Sequence, residues 1–364
     1  MTLKKAVFYL VMLLIPFAVI EGFFRLLPVS SPPYIVPVSL ENPVAHLQPD
    51  VDYLNSIGWN FAITARKHSN NFGYNNLSDY HPDETTPLLM VIGDSYVQAD
   101  QVDAGNSAAE ILDSRLDGKG RVYSAGLNGA PLSQYLVFAE FSKTTFRPNA
   151  MAFVIIGNDF DESFAKYKAA PERFHYFAKD GDGFALRRVD YALSTRSKIL
   201  RRSAFVRYFT YNLRGREALA RLLSSSREDS REYVGNVPAT VEESHVLDAM
   251  SAVDEFFRQL PQRTGLDNRS ILFVLDGMRP ALYSSEALLG AETSYASRMR
   301  RYFTEQAASR GYEVIDMQPV FIEKHASDGS RFEFEIDAHW NELGHVLAAA
   351  EIQKSAVFAR SFQE

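Results

Sequence analysis

The chain of 364 residues contains no cysteine. That excludes disulfide scaffolds, thiolate zinc sites, cysteine nucleophiles and cysteine-ligated iron–sulfur clusters. It says nothing about compartment, because a protein without thiols is indifferent to redox poise. A basic excess is also lacking: 38 Lys and Arg stand against 45 Asp and Glu, a net charge of −7. Nucleic-acid binding, which needs a basic surface to displace counterions from phosphates, is therefore not expected. Tryptophan is scarce, with two in the chain. No internal repeat of the kind that builds solenoids is visible. What is present is an ordinary globular balance of 46% hydrophobic and 23% charged residues. The length suits one large domain with an insertion, or two domains.

The N-terminus departs from that balance. Lys4 and Lys5 precede AVFYLVMLLIPFAVI (6–20), which carries no charge, and Glu21 and Arg25 follow before Leu26 and Leu27. Residues 6–27 reach the length of a membrane-spanning helix if Glu21 and Arg25, four apart on one helix face, sit near the far interface. No small-residue cleavage pattern follows the run, which speaks against a removed signal peptide. The two lysines favour a cytoplasmic N-terminus and an extracytoplasmic, periplasmic body. The expected organisation is an anchor at 1–28, a tether and extension at 29–86, and a catalytic domain at 87–364. The prolines at 28, 32, 33, 37 and 43 read as an extended tether.

From Pro87 onward short apolar runs alternate with helical spacing. PLLMVIGDS (87–95), RVYSAG (121–126), AMAFVIIGND (150–159), SILFVLDG (270–277) and YEVIDM (312–317) read as strands. Helices are expected over 106–116, 132–145, 244–260, 293–309 and 343–362, the fourth stopping at Gly311. Such alternation implies right-handed crossovers and a mostly parallel five-stranded sheet in a three-layer αβα sandwich. Reactive groups then belong just beyond the carboxyl ends of the strands.

Residues 160–243 interrupt the alternation and read as an inserted cap. A hairpin is expected around Asp180-Gly181-Asp182-Gly183, and one or two helices over 197–223. Within 171–231, 14 Lys and Arg face 7 Asp and Glu. This is either a solvated basic face or a contact surface for anionic headgroups or glycan, with Phe205, Tyr208, Phe209 and Tyr211 available to pack on the core or on sugar rings.

Four short segments carry chemistry. In Gly93-Asp94-Ser95 a serine ends a buried strand, where its hydroxyl can stand at the rim of the sheet. A hydroxyl needs a neighbouring base to become a nucleophile. Asp337-Ala338-His339 lies before the last helix, and a carboxylate two residues from an imidazole can hold the tautomer a general base requires. Gly126 offers an unobstructed backbone N–H and Asn158 a neutral NH₂, both suited to an oxyanion. Each segment alone also fits an ordinary turn or helix cap; together, in this order, their roles are complementary.

At this point the chain resembles the GDSL-like esterases, also called SGNH hydrolases, through VIGDSY (91–96), VYSAGLNGA (122–130), IIGNDF (155–160) and DAHWNELGH (337–345). The resemblance covers 87–160 and 244–360. It implies Ser95 as nucleophile, His339 and Asp337 completing a triad, and Ser95 N–H, Gly126 and Asn158 as oxyanion donors, with no cofactor. The third block is one residue shorter than Gly-x-Asn-Asp. The last reads Asp-x-His-Trp-Asn, similar to membrane-associated relatives working on surface polysaccharide. The implied activity is hydrolysis of acyl esters, O-acetyl esters above all. Transfer of the acyl group to a glycan hydroxyl is one alternative and a noncatalytic glycan-binding module another. A metal site drawn from Asp94, Asp337, His339 and His345 is disfavoured, since the two histidines straddle a helix start. Trp340 and Asn341 are expected to fix the loop carrying His339, Asp94 to bond local backbone, and His345 to pack.

Overall fold

Runs such as LLMVIG and ILFVL have no polar face, so both sides of the sheet they form must be covered. A computed structural model describes residues 3–39, 42–181, 183–215 and 232–362. The five strands are β1 (Leu88–Gly93), β2 (Arg121–Gly126), β3 (Ala150–Ile155), β4 (Ile271–Leu275) and β5 (Glu313–Asp316). They pair in the order β2-β1-β3-β4-β5, every pairing parallel. The expected sheet is therefore present and wholly parallel.

Alternation along β1 divides the core. Met90 and Ile92 join Phe153 and Phe273 on one face, beneath Tyr135 and Phe138 of α4 (Leu132–Thr145), Phe256 of α5 (Glu243–Thr264) and Phe303 of α6 (Tyr295–Ser309). Leu89 and Val91 face the other way. They join Leu112 of α3 (Ala108–Arg115), Phe321 of α7 (Met317–Asp328) and Ile352 of α8 (Glu342–Lys354). Ser107 and Asn341 cap α3 and α8 through their side chains.

Three local expectations need revision. The last helix is not continuous over 343–362. Ser355 is extended, and the Glu313 carboxylate accepts from Ala356 N and Val357 N, both at 2.9 Å, which starts a second short helix at Ala356–Phe362. The proline-rich stretch is not a free tether. Ile35–Val36 pairs with His46–Leu47, and the Pro32 and Pro33 carbonyls accept from Arg201. The extension after it forms an antiparallel hairpin, Val51–Ile57 with Ile63–Ser69, and buries Tyr53, Tyr74 and Tyr80 in the domain core.

The insertion contains the hairpin His175–Asp180/Gly183–Arg188, short helices at Thr195–Leu200 and Ala204–Arg207, and a π-turn at Tyr208–Asn212. Residues 216–231, and with them the end of the helix expected over 197–223, lie outside the described residues. At the N-terminus a helix, α1, runs Leu3–Arg25. Among the described residues no helix is long and apolar enough to cross a membrane; several α1 side chains, including those of Ala6, Val7, Leu10, Val11 and Leu13, lie outside that set.

Candidate active site

β1 ends at Gly93, and the chain turns at once into a single helical turn, α2 (Ser95–Gln98). A β-carbon on Gly93 would lie 2.4 Å from Val97, so only glycine lets the strand fold back this tightly. Asp94 caps the turn, its carboxylate accepting from Tyr96 N at 2.9 Å and standing 3.2 Å from Ser95 Oγ. Burial pushes the Asp94 carboxyl up, against those bonds and the nearby charge of His339. Its local role is the one expected from the sequence.

The opposite wall is a short strand, Asp337–Trp340, paired with Glu333–Phe334. His339 Nε2 stands 2.7 Å from Ser95 Oγ across 244 positions of sequence. Its Nδ1 bonds Asp337 Oδ1, and the same carboxylate oxygen accepts from His339 N at 3.0 Å. Burial raises the Asp337 carboxyl, but the bonds from His339 and the Arg214 charge outweigh it and hold the group down at about 2. The carboxylate is thus charged throughout the neutral range. A hydroxyl, an imidazole and a buried carboxylate in one hydrogen-bonded line can move a proton from oxygen to Nε2 and stabilise the imidazolium that results.

Tyr96 joins the two walls. Its hydroxyl donates to the Ala338 carbonyl at 2.9 Å and accepts from Arg279 at 3.1 Å, and its ring lies 4.9 Å from that of His339. Arg279 is itself fixed by Asp276 (2.5 Å), whose other oxygen accepts from Trp340 Nε1 at 2.8 Å. Trp340 is buried, and Asn341 caps α8 while its NH₂ donates to the Arg331 carbonyl at 2.9 Å.

The structure brings Ser95, His339 and Asp337 together; the two remaining candidates are placed differently. Gly126 sits beside Gly93 at the paired strand end, buried against α2. A β-carbon there would lie 2.6 Å from Gln98 N and 2.7 Å from Val97 Cβ. The absence of a side chain at 126 lets α2 lie on the sheet. Asn158 lies in a 3₁₀ turn held by Asp159, which accepts from Ile156 N at 2.8 Å and Tyr135 Oη at 2.9 Å. The Asn158 NH₂ donates to Glu162 at 2.8 Å, and its carbonyl accepts from Asn236. One amide hydrogen is left for another acceptor. Lys168 pairs with Glu162 and lies 3.3 Å from where a Gly129 β-carbon would be.

Comparison of the coordinates with solved structures finds TesA, 13% identical, covering 74% of this chain and 99% of that one, with a TM-score of 0.37. The lipase/acylhydrolase from Enterococcus faecalis is 10% identical over 73% of this chain and 93% of its own, with a TM-score of 0.39. The acetyl xylan esterase AlAXEase is 11% identical over 73% and 97%, with a TM-score of 0.37. No family model matches the chain, and no curated protein matches it. At these identities and scores the site's own geometry has to carry the functional reading.

Several neighbours of the site were not legible in the sequence. Gln101 places its amide 3.1 Å from His339 Nδ1. Arg214, from the insertion, pairs with the outer oxygen of Asp337. Asp100 accepts from Tyr53 Oη (2.7 Å), Asn75 Nδ2 (3.0 Å) and Gln98 Nε2 (2.7 Å), so the N-terminal extension holds the end of α2. Tyr96 alone carried a signal, its place next to Ser95. Beside Tyr96 a narrow cleft of about 30 Å³, partly open to solvent, is lined by Ile156, Phe160, Val234, Asn236 and Met278 among others.

Proposed function

We propose that this protein is a serine-dependent hydrolase of acyl esters, with O-acetyl esters as its substrates. The 2.7 Å contact between Ser95 Oγ and His339 Nε2, with Asp337 on the far nitrogen, carries the reading. Ser95 Oγ attacks the acyl carbonyl and His339 takes its proton. The tetrahedral oxyanion is received by the Ser95 N–H at the start of α2 and by the free hydrogen of Asn158. Collapse expels the alcohol, protonated by His339, and leaves an acyl-enzyme on Ser95. Water, deprotonated by the same imidazole, then releases the acid. Gly126 serves this reading by seating α2.

The test is covalent labelling with a serine-directed phosphonate, mapped by mass spectrometry, together with turnover of a chromogenic acetyl ester. The adduct belongs on Ser95, and Ser95→Ala and His339→Ala should lose activity equally, since the two act as a unit. Wild-type turnover in Ser95→Ala would end the proposal.

A second reading is transfer of the acyl group to a glycan hydroxyl. It is favoured by the insertion residues Val234, Gly235 and Asn236, which wall the cleft beside Tyr96, since a walled site disfavours water as the acyl acceptor. Acetate release measured with and without a polysaccharide acceptor separates the two: a transferase acetylates the acceptor at the expense of free acetate.

The anchor is likewise our proposal, with the domain outside the cytoplasm. It is supported by the uncharged run 6–20, the two lysines before it, and the exposure of Phe8, Met12, Ile15 and Val19 on α1. Protease added to intact cells of a two-membrane bacterium with a permeabilised outer membrane should digest the domain; protection of the domain there would refute the orientation.

A further inference from the structure

The last turn of α1 is built into the insertion. The Glu21 carboxylate accepts from Ser203 Oγ at 2.7 Å, Ala204 N at 3.0 Å and Phe205 N at 3.2 Å. Phe24 packs against Phe205 and Tyr208, ring centres 5.4 and 4.7 Å away. Tyr208 in turn donates to the Trp59 carbonyl at 2.8 Å and lies 5.6 Å from Phe61. The base of α1, the segment 195–209 and the turn at 58–61 thus make one contiguous collar.

Its outer surface mixes cations with large apolar groups. Arg196, Lys198 and Arg202 are exposed, and among the described residues none has a carboxylate partner. Among the same three segments Trp59 (75%), Ile199 (61%) and Phe209 (49%) are exposed. A soluble surface normally pairs its cations with acids and spaces its large apolar groups singly. Here both are gathered at the base of a helix whose run 6–20 carries no charge. Tryptophan beside unpaired lysine and arginine is the composition that suits the boundary between acyl chains and anionic headgroups.

We propose that this collar docks on the surface of an anionic phospholipid bilayer. Trp59, Ile199 and Phe209 enter the headgroup region, and Arg196, Lys198 and Arg202 pair with lipid phosphates. The proposal rests on the reading of α1 as an anchor and is independent of the ester chemistry. It would hold the domain at a fixed attitude to the membrane rather than at the end of a loose leash.

The chain supplies its own probe. Its two tryptophans differ completely in exposure, Trp340 being 1% exposed. Full-length protein is reconstituted into vesicles of brominated phosphatidylcholine, with and without phosphatidylglycerol. Flotation reads the anchor and tryptophan quenching reads the collar, with Trp59→Phe identifying the signal. The expected result is flotation with both vesicles and about twofold deeper Trp59 quenching when the anionic lipid is present. Arg196→Glu/Lys198→Glu/Arg202→Glu should abolish that increment while leaving flotation and ester turnover in detergent unchanged. Equal quenching in both vesicles, or an increment that survives charge reversal, overturns the proposal. Flotation confined to anionic vesicles would keep the collar and remove the anchor; flotation with neither would remove both.

Discussion

Gly126→Ala separates two tasks that a glycine at the end of β2 could perform. Alanine keeps the backbone N–H and adds a methyl beside it, so a role confined to the oxyanion would lower the rate and leave melting unchanged. The structure gives a different answer. The new methyl would lie 2.6 Å from Gln98 N and 2.7 Å from Val97 Cβ, where ordinary contact begins at 3.4 Å. Both neighbours belong to α2, whose first residue is Ser95, and one of the atoms is backbone that no rotamer can move. Relief therefore requires α2 to rise by about 1 Å, a displacement that costs on the order of a hundredfold in rate when it moves a reacting group. Overpacking of this kind costs about 1–3 kcal/mol, and for a domain of this size each kcal/mol lowers Tm by about 2–4 °C. The assay is paired: thermal melting, and turnover of the chromogenic acetyl ester normalised to sites titrated with phosphonate. Both should fall. A variant with native melting and native turnover per titrated site would show that α2 does not lie on Gly126, and the packing argument would fail.

Other outcomes follow from the same geometry. Asp337→Asn presents an NH₂ to His339 Nδ1, forces the proton onto Nε2 and removes the base facing Ser95; turnover should fall by about 10³–10⁴ with the fold retained by circular dichroism. The Asp337 carboxyl is held below its unfolded value, so its contribution to stability is complete above about pH 4 and disappears as pH falls toward 2. The melting gap between the native protein and Asp337→Asn should close over that window. Arg214→Met removes a partner whose own side chain is 40% exposed, so the loss should be modest, roughly two- to fivefold in turnover, and smaller still at high salt. Buried His345 is held at about 3 by burial and by the nearby charges of Lys67, His339 and Arg279. The unfolded chain therefore takes up a proton that the native one refuses as pH drops below about 6.5. His345→Gln, able to keep the bond from Ala108 N, should flatten the decline in Tm between pH 6.5 and 4; an unchanged slope would contradict the assignment.

The sheet was readable because β1, β3 and β4 are apolar runs with no polar face, and α4 was placed to the residue, at 132–145. The break at Ser355 was not, because its cause is Glu313, a carboxylate more than forty positions away. The tether reading failed for a similar reason. Prolines suggest an extended chain, but nothing local announces that Arg201 will take their carbonyls or that Tyr53 and Tyr74 will enter the core. Ser95, Asp337 and His339 were legible as residue types placed where such a fold exposes them. Arg214, Gln101 and Asp100 reach the same pocket through contacts that leave no local pattern, so pattern alone could not select them from the other charged and polar residues of the chain.

Glu21 fills the position that a helix beginning at Ala204 would otherwise offer to water, and it does so from the N-terminal helix. A chain shortened to begin after Leu27, a natural choice for ease of handling, would therefore shed more than a hydrophobic appendage. Ser203 and two amides would lose their acceptor, Phe205 and Tyr208 would face solvent where Phe24 had been, and the loosened stretch runs on within a few residues to Arg214. Rates measured on the shortened protein would belong to a molecule in which the Asp337 carboxylate has a less firmly seated companion.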